Sequence, residues 1–399
     1  MANKDFQNGF ALGLSARQSS KQNSNNYNES LEKYITGEIT SYTDDSAKTF
    51  RDYAFAGCKK LKTIKFPDDF ETFGKHCFDE CDSFYAFDVS DNSENFSTVD
   101  GVLYTKDKEK LIYIPQGIGS SFAIPDGVKS IEKEFCNTPM QYFYFPASVD
   151  SIHEDAFMCC DNAIIVTDSI SSYAYSYGRN KDLIYVLAKN FADITKLQIQ
   201  KTIYTVLQVE KCLDKEATSI HMPERINDAM GYYINSYAFK DTKVEELIGY
   251  PEYWQLSNYC YAESNLKTVI LGENRGQNLC VNSKNLEIAY VIGQEDLLTG
   301  HFKNCTSLRH LVLRDGGHDS SGGGLGPSFG TSTNNGYSYD DTSEIVLENT
   351  PILKGEGYVY VLKKHVSSYQ SAWPNLKFRA VEDYTVDGTN TGLLSPNKI

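Results

Sequence analysis

The side chains best suited to covalent or metal chemistry in this chain are its ten cysteines and seven histidines. Five cysteines recur in one short phrase: Cys58, Cys81, Cys159, Cys160 and Cys305. Cysteine can ligate zinc or form disulfides, but Cys77 and Cys81 have no matching Cys/His pair at zinc-site spacing. Buried free thiols pack as small apolar residues, and reduced cysteines suit synthesis in a cytoplasm. The pattern favours structural free thiols and predicts no metal and no cofactor.

Sequence motifs of common enzymes are missing. The sequence has no His-Glu-x-x-His, no Gly-x-Ser-x-Gly and no phosphate loop. His153 and Glu154 lack a second histidine at helical spacing, and Gly322-Gly-Gly-Leu-Gly326 lacks the Lys-Ser/Thr of a phosphate loop. The acidic stretch from Asp88 to Glu94 lacks the ordered spacing of a calcium loop and is better interpreted as a solvated loop. The sequence therefore predicts a protein that is not an enzyme.

A short phrase recurs along the chain: an aromatic residue, two variable residues, a cysteine and then an apolar run. The copies are Phe55-Ala-Gly-Cys58, Phe78-Asp-Glu-Cys81, Phe157-Met-Cys-Cys160 and Phe302-Lys-Asn-Cys305. A second form has a hydroxyl residue in place of the cysteine and begins at Phe135, Phe239 and Tyr261. Phe55 and Phe78 lie 23 residues apart. A period of this length is typical of stacked supersecondary units. It predicts a mainly-β or α/β right-handed solenoid of short strands and short helices or turns.

The phrase and the composition divide the chain into segments. Prolines follow the strand-like runs, Val99-Asp-Gly-Val-Leu-Tyr104 predicts an inserted hairpin, and Ile345-Val-Leu347 predicts a strand near the C-terminal end. The predicted segments are an N-terminal docking or linker segment (1–35), a first repeat block (36–170), divergent repeats (171–215), a second repeat block (216–315), a Gly/Ser-rich flexible loop (316–342), a C-terminal capping unit (343–382) and a tail (383–399).

The N-terminal segment carries a single apolar stripe. Phe6, Phe10 and Leu14 recur every four residues, and the Ser/Asn/Gln-rich stretch from Ser15 to Ser30 follows. One interpretation is a disordered tail. The other is a docking peptide that packs on a virion or tail partner, or on copies of itself in a homo-oligomer.

Charge and hydropathy limit the partners. The net charge of −15, without a basic stripe, argues against nucleic acid and against an anionic membrane surface. No run of about 18 apolar residues predicts insertion into a membrane. We recognise no signal peptide in the first residues. We therefore expect a protein made in the cytoplasm that acts on a virion or outside the cell, with display on a cell surface as the alternative.

Alignment of the repeats predicts an outward strip. In each strand triplet the flanking residues face the core and the middle residue faces out, because strand side chains alternate. The aligned residues are Lys65, Asp88, Tyr144, Thr167, Ile248, Ile270 and Val312, with Tyr142 and His221 beside them. Its mixture of charged, aromatic and aliphatic residues predicts a ligand-binding surface. The alternative is that most of the 28 tyrosines cover solenoid edges, with the ring inward and the hydroxyl in water.

Three stretches resemble the BspA-like leucine-rich repeat family. They are Asp52-Tyr-Ala-Phe55-Ala-Gly-Cys58-Lys-Lys-Leu61-Lys-Thr-Ile64-Lys-Phe66-Pro67, the inserted stretch from Val99 to Val128, and Tyr358-Val-Tyr-Val361 with Val366, Tyr369, Ala372 and Trp373. The resemblance covers residues 40–382 and implies a repeat scaffold used in surface adhesion or recognition. Some members are similar to tail-associated proteins of phages and prophages, and the missing signal peptide and wall anchor favour that variant here.

Together these observations predict a non-enzymatic binding protein. Its partner would be a protein or a glycan on a host or partner surface, and it would act as a phage or prophage tail-associated receptor-binding component. The alternatives are a bacterial or protist surface adhesin and a purely structural virion decoration protein.

Overall fold

The structure is a computed structural model of the whole chain. It describes residues 38–43, 45, 47–133, 140–157, 160, 162–201, 207–228, 231–249, 254–272, 276–292, 300–314, 346–386 and 394–396. The predicted N-terminal segment, the phrase at Phe135 and the Gly/Ser-rich loop lie outside these residues. The chain forms two compact units, Met1–Leu187 (unit 1) and Ala188–Ile399 (unit 2).

The described part of unit 1 consists of short strands, one α-helix and a 3-10 helix at Gln116–Ile118. Its elements are β1 (Ser41–Thr43), β2 (Thr49–Phe50), β3 (Thr63–Lys65), β4 (Thr72–Phe73), β5 (Ala86–Asp88), β6 (Phe96–Val99), β7 (Val102–Thr105), β8 (Lys110–Tyr113), β9 (Ser121–Ala123), β10 (Ser130–Ile131), β11 (Tyr142–Tyr144), β12 (Ser151–Ile152), β13 (Ile164–Thr167), α1 (Tyr173–Asn180) and β14 (Ile184–Leu187).

Successive coils of unit 1 stack as parallel strands. Strands β1, β3 and β5 form one parallel sheet, and β2 pairs in parallel with β4. Strands β9, β11, β13 and β14 form a second parallel row. Each coil therefore returns to the same edge after about one sequence period, which is the arrangement that the spacing of the phrase predicts.

The predicted hairpin is confirmed between these two rows. Strands β6 and β7 are antiparallel, and Asp100 and Gly101 at the turn have φ values of 50° and 81°. Two consecutive residues with positive φ are typical of a tight hairpin turn, which explains the Asp-Gly pair. Strand β8 is antiparallel to β7 and parallel to β10, so the hairpin rejoins the stack.

Phenylalanine rings fill the first coils of unit 1. Phe55 and Phe78, one period apart, stack with their centroids 5.7 Å apart and an interplanar angle of 12°. Leu61 and Phe84, which lie three residues after the phrase cysteines, are fully buried. Each buried ring stabilises the fold by about 1.5–3 kcal/mol relative to exposure to water. The recurring aromatic residue is therefore the repeat's core residue.

Unit 2 contains longer parallel rows. Its elements are α2 (Phe191–Ile194), β15 (Leu197–Lys201), β16 (Leu207–Cys212), β17 (Ser219–His221), β18 (Arg225–Ile226), β19 (Tyr232–Ile234), β20 (Glu246–Ile248), β21 (Trp254–Leu256), β22 (Thr268–Leu271), β23 (Ile288–Ile292), β24 (His310–Arg314), β25 (Tyr358–Val361), α3 (Val366–Ala372), β26 (Phe378–Ala380), β27 (Tyr384–Val386) and β28 (Leu394–Pro396). Strands β22 to β26 pair in parallel in sequence order, and β17 pairs in parallel with β20.

Two repeat turns of unit 2 lack the aromatic residue of the sequence phrase. The first is the turn at Cys280, and the second is the turn at Leu347. The amide of Tyr261 donates to Leu279 O, the amide of Cys280 to His301 O, and the amide of Phe302 to Val346 O, at 2.9–3.1 Å. Each acceptor is the residue just before the position of the phrase's aromatic residue in the next turn. Cys280, which follows Leu279, therefore occupies the position of that aromatic residue.

The prediction of a strand at Ile345-Val-Leu347 is wrong for its described part. Val346 is helical, and Leu347 begins a turn. The Thr350 Oγ1 hydroxyl donates to Leu347 O at 2.7 Å, as Thr242 Oγ1 does to Phe239 O at 2.8 Å. This segment is therefore another repeat turn, in which leucine replaces the aromatic residue.

Among the cysteines that the structure describes, all but Cys160 follow the prediction of free thiols. Cys58, Cys81 and Cys305 of the repeat phrase are buried, reduced thiols. Burial raises the pKa of the Cys305 thiol to about 12. Cys160 is disulfide-bonded, so a free thiol at that position is a wrong prediction. Cys159 lies outside the described residues.

Candidate functional site

The predicted strip begins with two exposed charges in unit 1. Lys65 on β3 and Asp88 on β5 are in register, and Thr43 on β1 continues the row. The residues flanking Lys65, Ile64 and Phe66, are buried, while Lys65 and Asp88 are exposed. The alternation of strand side chains therefore places these two predicted residues on the surface.

The tyrosines of β11 are less accessible than predicted. Tyr144 is half-buried and aligns with Ala123 on β9. Burial, with the nearby carboxylates of Asp168 and Asp126, raises the pKa of the Tyr144 hydroxyl. Tyr142 is 3% exposed, so its predicted accessibility is wrong. Of the two, only Tyr144 remains available for contact with a partner.

Thr167 does not lie on the strip. The residue in register with Tyr144 is Val166, one position earlier, and both Val166 and Thr167 are fully buried. The Thr167 hydroxyl bonds to Ser172 Oγ at 3.0 Å, at the start of α1. The prediction applied the spacing of the cysteine form of the phrase to this coil, which instead follows the spacing of the hydroxyl form, one residue shorter. A slip of one residue moves a strand side chain to the other face of the sheet.

In unit 2, His221 and Ile248 are in register on β17 and β20, and both are half-buried. A buried carboxylate fixes the histidine. Asp193 Oδ2 lies 2.7 Å from His221 Nδ1 and accepts the His221 amide at 2.9 Å, while Lys196 Nζ donates to Asp193 Oδ1 at 2.8 Å. This network was not predicted from the sequence, because Asp193 lies 28 residues before His221.

The same network sets the ionisation of Asp193. Burial opposes the charged form, but hydrogen bonds from Lys196 and from the backbone and ring of His221 hold the pKa of the Asp193 carboxyl below its ordinary value. Asp193 therefore stays ionised and orients the His221 ring, whose side chain is 45% exposed. The arrangement presents an imidazole to solvent in a fixed orientation.

The last part of the strip is largely covered. Ile270, Tyr290, Val312, Tyr360 and Arg379 form one row across β22 to β26. Ile270 is half-buried, but Val312 and Tyr360 are 0% and 1% exposed. Their side chains form an apolar cluster with Ile288, Tyr290 and Val381. Val312 was predicted to be accessible; this is wrong, because that face of the sheet is buried as well as the core face.

His310 belongs to this covered face. Its Nδ1 atom lies 2.9 Å from the Tyr360 hydroxyl. Burial, followed by the charges of Arg309 and Arg379, lowers the pKa of the His310 imidazole. The Arg379 guanidinium lies 3.3 Å from the centroid of the Tyr358 ring. These contacts form a packed polar edge of the apolar cluster.

A ladder of stacked aromatic rings on the repeat turns was not predicted from the sequence. Tyr237 and Tyr259 stack with their centroids 5.6 Å apart and an interplanar angle of 8°, and Tyr53 and His76 stack at 5.2 Å and 13°. Each of the four lies two residues before the aromatic residue of a phrase. That recurring position is the sequence signal that would have identified the ladder.

The ladder residues share an unusual backbone conformation. Tyr53, His76, Tyr237 and Tyr259 have φ values between 53° and 61°. Bulky residues rarely adopt this left-handed region. Tyr237 is 38% exposed, and Lys240 Nζ lies 5.3 Å from its ring centroid. We define Tyr237 and Tyr259 as the tyrosine ladder of unit 2.

The remaining predicted site residues, Phe6, Phe10 and Leu14, lie outside the described residues and stay a prediction. Within the residues that the structure describes, no helix is long and apolar enough to cross a membrane.

Comparison with solved structures finds bacterial leucine-rich repeat proteins. The pneumococcal vaccine antigen PcpA is 16% identical, with 86% of this chain and 68% of that chain covered and a TM-score of 0.27. A leucine-rich cell surface protein of Faecalibacterium prausnitzii is 17% identical, with 68% and 78% covered and a TM-score of 0.23. No curated protein matches the sequence.

The sequence also matches the description of a repeat family. The BspA type leucine-rich repeat region matches in six copies, over residues 34–164, 118–202 and 185–310. These ranges include the phrases and the hairpin described above, and they span more than half of the chain. Members of this family are often surface adhesion proteins. The chain belongs to the BspA-type leucine-rich repeat family.

Proposed function

We propose that this protein is a non-enzymatic repeat scaffold that binds a protein or a glycan on a host or partner surface. The observation that carries the proposal is the tyrosine ladder of unit 2. Its rings are stacked and partly exposed, although their backbone occupies a region that bulky residues avoid.

Other residues fill the same turn position with less strain. Asn278 and Gly300 occupy it in the next two turns of unit 2, with φ values of 54° and 81°. Asparagine and glycine enter the left-handed region readily, whereas a bulky residue there costs on the order of 1 kcal/mol. The turn therefore does not require tyrosine. We infer that Tyr237 and Tyr259 are retained for their rings.

Stacked, rigid tyrosines suit recognition. They offer a flat apolar face and a polar hydroxyl, at a small cost in side-chain entropy. Lys240 lies beside the Tyr237 ring and also pairs with Glu263 at 2.7 Å. The ladder thus combines an aromatic platform with charged groups at its edge. Both a sugar ring and a protein side chain can bind to such a surface.

The exposed part of the strip supplies a second contact surface. Lys65, Asp88 and Tyr144 of unit 1, and His221, Ile248 and Ile270 of unit 2, remain accessible or half-buried and stay predicted ligand contacts. Tyr142, Thr167 and Val312 are removed from the surface by their burial.

The test uses a substitution that keeps the turn intact. The double variant Tyr237→Asn and Tyr259→Asn copies the residue at position 278, so the fold should be preserved. We expect it to lose binding on a glycan array or in a pull-down from host envelopes, by about tenfold or more, since two stacking contacts each contribute about 1 kcal/mol.

A control and a contradicting result are available. Tyr85→Asn removes a tyrosine that is 48% exposed and lies outside the ladder, and it should leave binding unchanged. Full binding by the ladder variant would disprove the role of the ladder. If Lys65→Ala and Tyr144→Ala alone abolish binding, the strip is the contact surface instead.

The narrower functions that the sequence predicts differ in where the protein would be located. A phage tail-associated receptor-binding protein, a surface adhesin and a virion decoration protein would each use the same scaffold. Deleting residues 1–35 should abolish incorporation into particles, with the repeats still folded, if those residues are the docking segment. Normal incorporation of the truncated chain would reject docking through Phe6, Phe10 and Leu14.

A further inference from the structure

One sheet of unit 2 has an outer face that consists largely of amide side chains. Strands β15, β16, β19 and β21 form this sheet, and its inner residues Ile199, Val209 and Ile234 are buried. Because strand side chains alternate, the residues next to these point outward. One outward row lies in register across the four strands: Gln200, Gln208, Tyr233 and Gln255.

Tyr233 is the exposed ring of this row. Its side chain is 39% exposed, and it lies between Gln208 on one neighbouring strand and Gln255 on the other. Neighbouring strands are about 4.8 Å apart, so both amides lie close to the ring. The row therefore places an aromatic surface between two hydrogen-bonding side chains.

A β-bulge adds a carboxylate to the face. Val209 pairs with Ile199, and Lys211 pairs with Gln198, so Glu210 is the extra residue between two register pairs. Bulges change the direction of a side chain and are common next to functional sites. Here the bulge brings the carboxylate of Glu210 to the amides of three strands.

Glu210 holds three of these amides in place. The side-chain amides of Gln200, Gln208 and Asn235 all donate to Glu210 Oε2, at 2.8, 2.6 and 2.7 Å. Side chains that are fixed before a ligand arrives lose less entropy on binding. The face is therefore preorganised. We define the amide face as Gln200, Gln208, Glu210, Tyr233, Asn235 and Gln255.

The network leaves several polar groups for a ligand. Within the described part of the chain, no side-chain hydrogen bond is formed by the carbonyl oxygens of Gln200 and Gln208, by Glu210 Oε1, by the Tyr233 hydroxyl or by the amide of Gln255. An amide offers both donors and an acceptor, and a carboxylate oxygen accepts. The face thus presents donors and acceptors side by side around one ring.

This combination matches a saccharide. A sugar hydroxyl both donates and accepts, so it complements amide and carboxylate groups. The C–H face of a sugar ring is apolar and can pack on the Tyr233 ring. A protein interface, in contrast, has an apolar and aromatic centre. The amide face has a single exposed ring among polar groups, which favours the saccharide.

Charge does not select an ion at this face. Glu210 is its only charged member, and two exposed lysines, Lys201 and Lys211, follow on the same strands. Charges of both signs are therefore present, and the remaining groups are uncharged. Recognition through hydroxyl groups needs no net charge on the ligand.

We propose that the amide face binds a neutral oligosaccharide through its hydroxyl groups, with one sugar ring packed on Tyr233. This role rests on the binding function proposed above and narrows its ligand to a glycan. The amide face adjoins the tyrosine ladder, since Tyr237 follows Asn235 by two residues. The two surfaces contain no common residue, so variants can separate them.

The test begins with the full chain on an array of neutral oligosaccharides of glucose, galactose, mannose and N-acetylglucosamine. Calorimetric titration then measures the affinity of each saccharide that binds. We expect at least one Kd of about 1 mM or lower. The affinity should change by less than about twofold between about 50 and 500 mM salt, because screening weakens interactions between charges and leaves hydroxyl contacts intact.

Variants identify the face. Tyr233→Thr removes the ring but keeps a residue suited to a strand, and it should weaken saccharide binding about fivefold or more. Glu210→Ala releases the three amides and removes a charged acceptor, so we expect a loss of about tenfold or more. Tyr85→Thr, at an exposed tyrosine of unit 1, should have no effect. Thermal unfolding by circular dichroism checks that each variant is folded.

Three results would overturn the proposal. They are no neutral saccharide bound at about 10 mM, ten times the expected Kd, full binding by both face variants, or a loss of binding only in the Tyr237→Asn and Tyr259→Asn variant. The last result would assign the glycan to the ladder and leave the proposed function intact. Capture of a protein through Tyr233, with no saccharide bound, would also reject the glycan while preserving a binding function.

Discussion

The repeat turns of the two units differ in continuity. In unit 2, the turns at Tyr237, Tyr259, Asn278 and Gly300 follow one another, and amides of one turn donate to carbonyls of the next. In unit 1, the second turn is followed in sequence by the inserted hairpin, and a cavity of about 510 Å³ lies beside that turn. The same backbone element thus pairs with the next turn in unit 2 and borders a cavity in unit 1.

The outer faces of the parallel sheets differ in a second way. Lys65 and Asp88 of unit 1 are exposed, whereas Val312 and Tyr360 of unit 2 are buried, although all four lie at the outward position of aligned strands. Strand alternation sets the direction in which a side chain points. It does not determine whether that face is covered.

The largest expected effect tests the difference between the outer faces. Tyr360→Ala should lower the free energy of unfolding of unit 2 by about 3–5 kcal/mol, because it removes a buried ring from the outer cluster. Lys65→Ala, at the equivalent position in unit 1, should change it by less than about 0.5 kcal/mol. Urea denaturation measures both, and hydrogen exchange assigns the loss to a unit. Equal small effects would show that the outer face of unit 2 is not a packed core.

The next effect concerns the continuous turns. Asn304 Nδ2 donates to Asn282 Oδ1 at 2.9 Å, and Asn349 Nδ2 donates to Asn304 Oδ1 at 2.7 Å. Asn304→Gly keeps the left-handed backbone but removes both bonds, so we expect a loss of about 1–2 kcal/mol in urea denaturation.

Glu80 in unit 1 is the matched control, since its φ is 56° and its lysine partner, Lys59, is 4.0 Å away. Glu80→Gly should be neutral or slightly stabilising, because glycine relieves the positive φ and the exposed pair contributes little. A large loss in this variant would indicate that the interrupted turn is held together as tightly as the continuous ones.

A smaller effect is expected at the aromatic stacks. Tyr259→Asn and Tyr53→Asn each lose a stacking contact but relieve backbone strain of similar size. We expect the free energy of unfolding to stay within about 1 kcal/mol of the wild type in both units. A loss well above that range in thermal unfolding would mean that the rings stabilise the turns, and the functional argument for tyrosine would fail.

The smallest effect is a pH dependence in the covered face of unit 2. The pKa of His310 is lowered in the folded state from an ordinary value of 6.5, so the unfolded chain takes up the proton first. The contribution of the neutral His310 imidazole to stability is complete above pH 6.5 and is lost as the pH falls through the folded-state pKa. His310→Gln should remove that part of the acid sensitivity between pH 7.5 and 5.5. NMR titration of the ring would contradict the argument if its pKa were normal or raised.

Much of the fold follows from local patterns. The phrase beginning at Phe55 identified the period, Asp100 and Gly101 identified the hairpin turn, and alternation placed Lys65 and Asp88 outside. The same reasoning failed at Thr167, because one coil is a residue shorter, and at Leu347, because an aliphatic residue replaces the aromatic one. It also missed the Asp193–His221 contact, since the two residues come from different coils.

The sequence alone determined the repeat, its family and the residues that alternate between core and surface, because these depend on spacing within one coil. The tertiary structure decided which outward residues are accessible, which outer faces are covered and where a cavity forms. These properties depend on what the adjacent coil places against each residue, and no single coil contains that information.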